Sequence, residues 1–471
     1  MTDLTAALSD FIIRSSSADF PEGALDKAKK VIVDTFAAIL ASADSEVALP
    51  LLRYVHESGA SGDSPILGTG VTATPELATL VNGTFGAALE FDDVLPVMPG
   101  HPSAIIVPPL FADTWASRLS GQEFIEAYVI GLEVGAKIAV GITFGHYQRG
   151  HHATGTLGIF SALGALAKRY RLDRATVATA FGIAASTASG LSRNFGTMTK
   201  PLHSGWAARS AFASVQLAHC GFTAAADVLE GEFGFFAAYG VPESDPQASI
   251  DTLGKPWVIM EPGVTLKKFP CCRAAHRAMD GLLQLRTSLG LSAENLERIE
   301  CRVAPGVLVP LRYPAPKNGL EAKFSMPYAL AAGVLDGEYT LSTFTDEAVN
   351  RPAIGNLYKK IQVREDPRCK GSDPLVEKHS YGARGVVEVE VWTTDGRTAT
   401  ATIERQPGHP SRALTWDEMR NKFISCAERA RIDPAAVERA FSILYDLEHC
   451  GDIQEVIALI ARPRGATVAT L

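Results

Sequence analysis

The chain lacks any Cys-x-x-Cys pair. Its seven cysteines, at 220, 271, 272, 301, 369, 426 and 450, are odd in number, and the only close pair is vicinal. That pattern argues against a disulfide framework and against zinc or iron–sulfur sites, and predicts reduced, mostly buried thiols. Basic runs are also missing: none is longer than "KAKK" at 27–30, and the formal charge is −8. A general affinity for nucleic acid is not expected, and an anionic substrate would need local positive groups. No apolar stretch is long enough to cross a membrane without a charge or break, and "MTDLTAALSDFII" has no basic leader. Neither a membrane span nor a signal peptide is expected, which makes the cytoplasm the expected address. A P-loop, a GxSxG elbow and a kinase signature are all absent, and "LGTGVTA" at 67–73 lacks the third glycine of a dinucleotide site, so no nucleotide cofactor is expected.

What is present reads as a globular protein. Of 471 residues, 46% are apolar and 20% charged, with 41 glycines and 27 prolines; the length suits two domains. From residue 5 to about 235 apolar residues recur every three or four positions, as in "ALDKAKKVIVDTFAAILAS" (24–42) and "EFIEAYVIGLEVGAKIAVGI" (123–142), and strand candidates are nearly absent. The wealth of Ala and Gly there predicts closely packed helices. After "EPGVTLKKFPCC" (261–272) the pattern changes: "LERIECRVA" alternates, and two alternating runs in "VVEVEVWTTDGRTATATIE" (386–404) flank Asp395-Gly396, a hairpin signal. From 416 short amphipathic helices return. The expected fold is mainly α, with a large all-α domain and a smaller α+β domain over 264–405.

Four polar clusters carry candidate chemistry. In "FDDVLPVMPGHPS" (91–103), paired carboxylates can split into acid and base roles, with His101 as partner for Asp93. The bland alternative is a capped helix end followed by a proline-set loop. In "GHYQRGHHATGTLG" (145–158), Thr154 or Thr156 is placed to cap a helix beginning near 156, with Tyr147, His146 and His152 near any anion held there. The spacing of its three histidines fits no metal motif. In "NFGTMTKPLHSGWAARS" (194–210), Lys200 sits among small residues that would desolvate its ammonium and adapt it to act as a base, while Arg209 could offer a carboxylate fork. In "LKKFPCCRAAHRAMD" (266–280), Lys267, Lys268 and His276 fall on the expected domain border, where small-molecule sites commonly lie.

In this order and spacing the clusters resemble the MmgE/PrpD family over about residues 1–460. The carrying segments are "ALEFDDVLPVMPGHPSAIIVPPL", "GHYQRGHHATGTLGIFSALGALA", "NFGTMTKPLHSGWAARSA", "GKPWVIMEPGVTLKKFPCCRAAH" and "EAKFSMPYALAAGVLDGEYTL". The resemblance implies a helical domain of residues 1–263 and 406–471, an α+β lid of 264–405, a homodimer, and no metal or organic cofactor. It also implies a site of Asp93, His101, His152, Lys200 and Lys267, with Tyr147, Ser325 and Tyr328 as neighbours. Family activities include 2-methylcitrate dehydratase, cis-aconitate decarboxylase and iminodisuccinate epimerase. Where the decarboxylases carry a threonine and a histidine, this chain has Val97 and Cys272; its opening loop, "NFGTMTKP" and "LKKFP" look most like the epimerase. The expected activity is therefore epimerisation or racemisation next to a carboxylate of a small di- or tricarboxylic acid, with Lys200 and either Tyr147 or His152 as the two bases. The alternatives are a lyase acting on a 2-methylcitrate- or cis-aconitate-like acid, and a carboxylate-binding protein without catalysis.

Overall fold

In the computed structural model, residues 3–113, 118–371 and 384–462 are described. The protein is mainly α-helical, and it divides into two compact units. The first comprises Met1–Arg193, Thr199–Val264 and Thr415–Leu471; the second comprises Asn194–Met198 and Thr265–Leu414.

The first unit is a stack of helices whose approach is set by small residues. Gly83 of the Pro75–Ala88 helix meets Gly205 of the Thr199–His219 helix so closely that a Cβ on Gly83 would stand 3.0 Å from the Gly205 Cα. A Cβ on Gly205 would run into the Leu80 carbonyl. In the same way Gly131 and Gly135 of the Gly121–Ile142 helix lie against Ser161 of the Gly158–Arg169 helix. The Ala/Gly-rich sequence thus gives short interaxial distances, and the helices it brings together carry the polar residues described below. One departure from an all-helical reading is a short antiparallel hairpin of β1 (Ser64–Ile66) and β2 (Val71–Ala73). Three-residue strands are too short to show a period-2 pattern, so nothing in the sequence marked them. Among the described residues no helix is long and apolar enough to cross a membrane.

The C-terminal helices belong to this unit and are tied to it by buried charge. Lys422, on the Trp416–Arg429 helix, donates to Asp34 Oδ1 at 2.6 Å and to the Phe91 carbonyl at 2.7 Å, with its ammonium 3.6 Å from the Phe91 ring centroid. Lys29 pairs with Glu448 at 2.8 Å.

The second unit has a four-stranded sheet in the order β4 (Ile361–Glu365), β3 (Leu296–Val303), β5 (Val387–Thr393), β6 (Thr398–Ile403). Strands β3 and β4 are parallel, and the other pairings are antiparallel. The β5–β6 hairpin turns where the Asp-Gly pair predicts: Gly396 has φ +85°, and Asp395 Oδ2 accepts the Arg397 Nε–H at 2.8 Å. Val387, Val389 and Val391 are buried on one sheet face, in a core shared with Ala278, Met279 and Leu282 of the His276–Leu289 helix and Leu330 of the Met326–Asp336 helix.

Because Asp34 is fully buried, removing its partner strands a charge. Lys422→Met should therefore lower stability by about 3–5 kcal/mol, read as a lower urea midpoint. An unchanged midpoint would show that the pair carries no net weight.

Candidate active site

Three carboxylates lie in four residues, Glu90, Asp92 and Asp93, and all three are buried. The Pro75–Ala88 helix ends just before them, and Glu90 takes a left-handed backbone conformation with φ +53°, which is costly for a residue with a Cβ. This twist redirects the chain into a loop closed by the Leu95 N–H donating to the Gly100 carbonyl at 3.1 Å. The loop ends at the Ser103–Phe111 helix.

Each carboxylate is settled differently. Glu90 is ion-paired with Lys200 inside the protein. Asp92 lies 3.2 Å from His101 Nδ1. Asp93 accepts from Ser103, from its hydroxyl at 2.7 Å and from its amide at 3.3 Å, so it caps the following helix, and the Ser103 hydroxyl continues to Tyr128 Oη at 2.8 Å. Burial pushes the Asp93 carboxyl up to about 8, and Asp92 and Asp34 add to the rise against the opposing hydrogen bonds of Ser103. Asp93 is thus a neutral acid at neutral pH. Burial also raises the Tyr128 phenol well above its usual value, with Asp93 adding to it.

His101 is tautomerically fixed by its surroundings. Its Nδ1 is 2.8 Å from the Asp93 carbonyl, which can only accept, so Nδ1 carries a proton. Its backbone N–H donates to Thr154 Oγ1 at 3.1 Å. His152 stands opposite, with ring centroids 6.4 Å apart and planes at 70°. It is held by its backbone N–H donating to the Gly190 carbonyl at 3.0 Å and by an Nδ1 to Nδ1 contact of 2.8 Å with His203. Burial, with Lys200, His203 and His101 adding to it, drives the His152 imidazole well below its usual value; burial and Lys200 take His203 to about 4. Both rings are therefore neutral.

The first unit thus brings together Asp93, His101, His152, Thr154 and Lys200. The surroundings of three expected groups differ from the sequence reading. Lys200 is not set among small residues alone: it is ion-paired with Glu90. Neither Thr154 nor Thr156 caps a helix. The cap position before Gly158–Arg169 is Leu157, and Thr156 Oγ1 instead donates to the His152 carbonyl at 3.3 Å. Arg209 donates from Nε to Glu76 at 2.6 Å on a part-exposed face and lies over the Trp206 ring.

Tyr147 lies on the short Gly145–Gln148 helix, stacked on Phe144 at 5.5 Å. His146 is engaged through Nδ1 with the Tyr239 carbonyl and through Nε2 with Thr156 Oγ1. In the second unit, Lys267 is fully buried, and His276 packs edge-on to Phe269 with Nε2 3.2 Å from the Cys271 carbonyl. Ser325 caps the Met326–Asp336 helix by accepting the Tyr328 N–H, and the Tyr328 hydroxyl donates to the Thr343 carbonyl.

Glu90, Tyr128 and His203 were not singled out by sequence reasoning. His203 had a visible signal, since it follows Lys200 by three residues on one helix and so shares its face. Glu90, Asp92 and His101 place ligand atoms within 4.8 Å of one another, a donor set of the kind that holds a cation, but the cation at Glu90 is the Lys200 ammonium.

The N-terminal domain model of the MmgE/PrpD family matches residues 6–247, and its C-terminal domain model matches 269–446. The chain belongs to the MmgE/PrpD family and is an isomerase or lyase of that family. It is 27% identical to the cis-aconitate decarboxylase of Mus musculus, over 94% of this chain and 90% of the mouse protein. The corresponding figures for the Homo sapiens enzyme are 26%, 95% and 92%, and for that of Aspergillus terreus 24%, 98% and 96%.

The Asp93 carboxyl gives the site a testable pH signature. Between its ordinary value of 3.8 and about 8, the folded chain holds a proton that the unfolded chain has released, so this group's contribution to stability falls as pH rises. Asp93→Asn has no such slope. Thermal midpoints measured from pH 4 to 8, the window set by that shift, should move in favour of the variant as pH increases. Parallel profiles would mean that Asp93 is ionised in the folded protein.

Proposed function

We propose that the enzyme generates a carbanion next to a carboxylate of a small di- or tricarboxylic acid and reprotonates it, acting as an epimerase of an iminodisuccinate-like acid. The observation that carries this reading is the pair of imidazoles, His101 and His152, set 6.4 Å apart beside a fixed ammonium and a neutral carboxylic acid. The two rings are in edge-to-face contact, and an imidazole is suited both to remove a proton from carbon and to return one. The enediolate formed in between is stabilised by donors placed in advance, each worth roughly 3–4 kcal/mol. Lys200, ion-paired with Glu90, supplies N–H donors, and Asp93 holds its proton without adding a further negative charge.

A lyase outcome from the same carbanion is the second reading. What favours it is that the relatives above carry the name cis-aconitate decarboxylase. Val97 and Cys272 stand where the family's decarboxylases were expected to have threonine and histidine, and this weighs towards the epimerase.

Proton NMR in D₂O with single stereoisomers of small di- and tricarboxylates separates the two. Epimerisation washes deuterium into the α-carbon and gives the second isomer; a lyase gives either a new conjugated alkene, by loss of water, or CO₂ and an acid with one carboxylate fewer. An unchanged panel would overturn both. Lys200→Met paired with Glu90→Gln, which leaves no buried charge unpaired, should keep the fold and lower kcat/KM by about 100-fold or more; full retention would remove Lys200 from the mechanism.

A further inference from the structure

We propose that His203 is a positioning residue that relays protons to and from His152 through their shared Nδ1–H–Nδ1 bridge, so that His152 can act as acid or base without carrying charge. The inference rests on the carbanion reading above and assigns a role to a residue outside the expected site.

The argument begins with the 2.8 Å separation between the two Nδ1 atoms. Two lone pairs cannot face each other at that distance, and neither can two N–H groups, so one proton lies between them. Whichever ring owns that proton, the other has its proton on Nε2. The pair therefore always presents one Nε2–H and one basic Nε2.

Burial makes this arrangement useful. His152 is 1% exposed and His203 7%. An imidazolium at His152 would be desolvated, and it would face the Lys200 ammonium, His203 and His101, with Asp92 opposing them. His203 likewise faces Lys200. A lone His152 that took a proton from carbon would have to bear that charge. With His203 the balance closes. His152 Nε2 takes the substrate proton as the C–H bond breaks and its electron pair passes into the enediolate. The bridging proton then shifts from His152 Nδ1 to His203 Nδ1, and His203 Nε2 releases its own proton to solvent. Run backwards, the same steps deliver a proton to carbon. Both rings start and finish neutral.

The backbone supports the bridge. His203 lies three residues after Lys200 on the Thr199–His219 helix. Gly155 and Gly190 stand close by: a Cβ on Gly155 would meet the Ser189 carbonyl and approach the His203 Cβ to 3.4 Å, and Gly190 has φ +150°. Gly155 has no room for a Cβ against the Ser189 carbonyl, and the Gly190 backbone conformation is one that residues with a Cβ rarely adopt, so glycine at both positions lets the backbone run close to the two rings.

His203→Asn keeps a donor or acceptor where Nδ1 stands but cannot pass a proton through. The expected result is a KM within about 3-fold of wild type and a kcat lower by about 100-fold. Solvent-isotope dependence of kcat in mixed H₂O/D₂O should be curved for the wild type, reporting more than one proton in transfer, and linear for the variant. Wild-type kcat in His203→Asn, or equal loss in kcat and KM with unchanged curvature, would reduce His203 to a packing role. Should the variant fail to fold, ¹⁵N NMR of imidazole-labelled wild type decides: one protonated and one bare Nδ1 coupled across the hydrogen bond are expected, and two protonated Nδ1 atoms would overturn the bridge. If the wild type exchanges no α-proton of any di- or tricarboxylate, the carbanion reading fails. If it exchanges and His203→Asn exchanges as fast, only the relay fails.

Discussion

Burying Glu90, Asp92 and Asp93 together is the constraint around which the first unit is organised. Three carboxylates withdrawn from water within four residues cannot all stay ionised without compensation. One finds an ammonium, one an imidazole, and one keeps its proton. Each solution draws in a different part of the chain. The Glu90 partner needs the Thr199–His219 helix to approach the Pro75–Ala88 helix, and glycines at 83 and 205 permit it. The Asp93 partner needs Ser103 at the head of the next helix, with Tyr128 behind it.

The same loop is fixed from below by Lys422, which holds the Phe91 carbonyl while neutralising Asp34. The loop that carries Glu90 and Asp92 is thus tied to a helix more than three hundred positions away, and Asp34 in turn adds to the rise of the Asp93 carboxyl. Packing, loop geometry and protonation state are here one problem, because a buried charge must be matched wherever the backbone places it.

Much of the architecture could be read in the sequence because long periodic segments announce themselves: the helices at 24–42 and 121–142 and the Asp395-Gly396 hairpin are periodicity and turn chemistry made visible. The three-residue strands β1 and β2 are too short to do so. The site was legible as residue types and less so as partnerships. Asp93, His101, His152 and Lys200 stood out as polar residues in glycine-rich surroundings. That Glu90 would meet Lys200, 110 positions on, depends on helix–helix approach, which no local pattern contains. Thr154 and Thr156 show the opposite failure: local rules favoured a cap, and tertiary contacts claimed both hydroxyls.

The protonation pattern that results bears on how an acidic protein handles acidic substrates. A net charge of −8 repels a polycarboxylate at long range, but repulsion between separated charges is screened within about 8–10 Å in physiological salt, so the groups within contact distance decide. There Glu90 is cancelled by Lys200, Asp93 holds a proton, and the Nδ1–H of His101 faces Asp92. The cluster that looks most acidic in sequence therefore carries less negative charge as folded than its three carboxylates suggest. Carbanion formation next to a carboxylate adds negative charge to an already negative substrate. A wall of ionised aspartates would oppose it, whereas one built of proton-holding acids and paired ions does not.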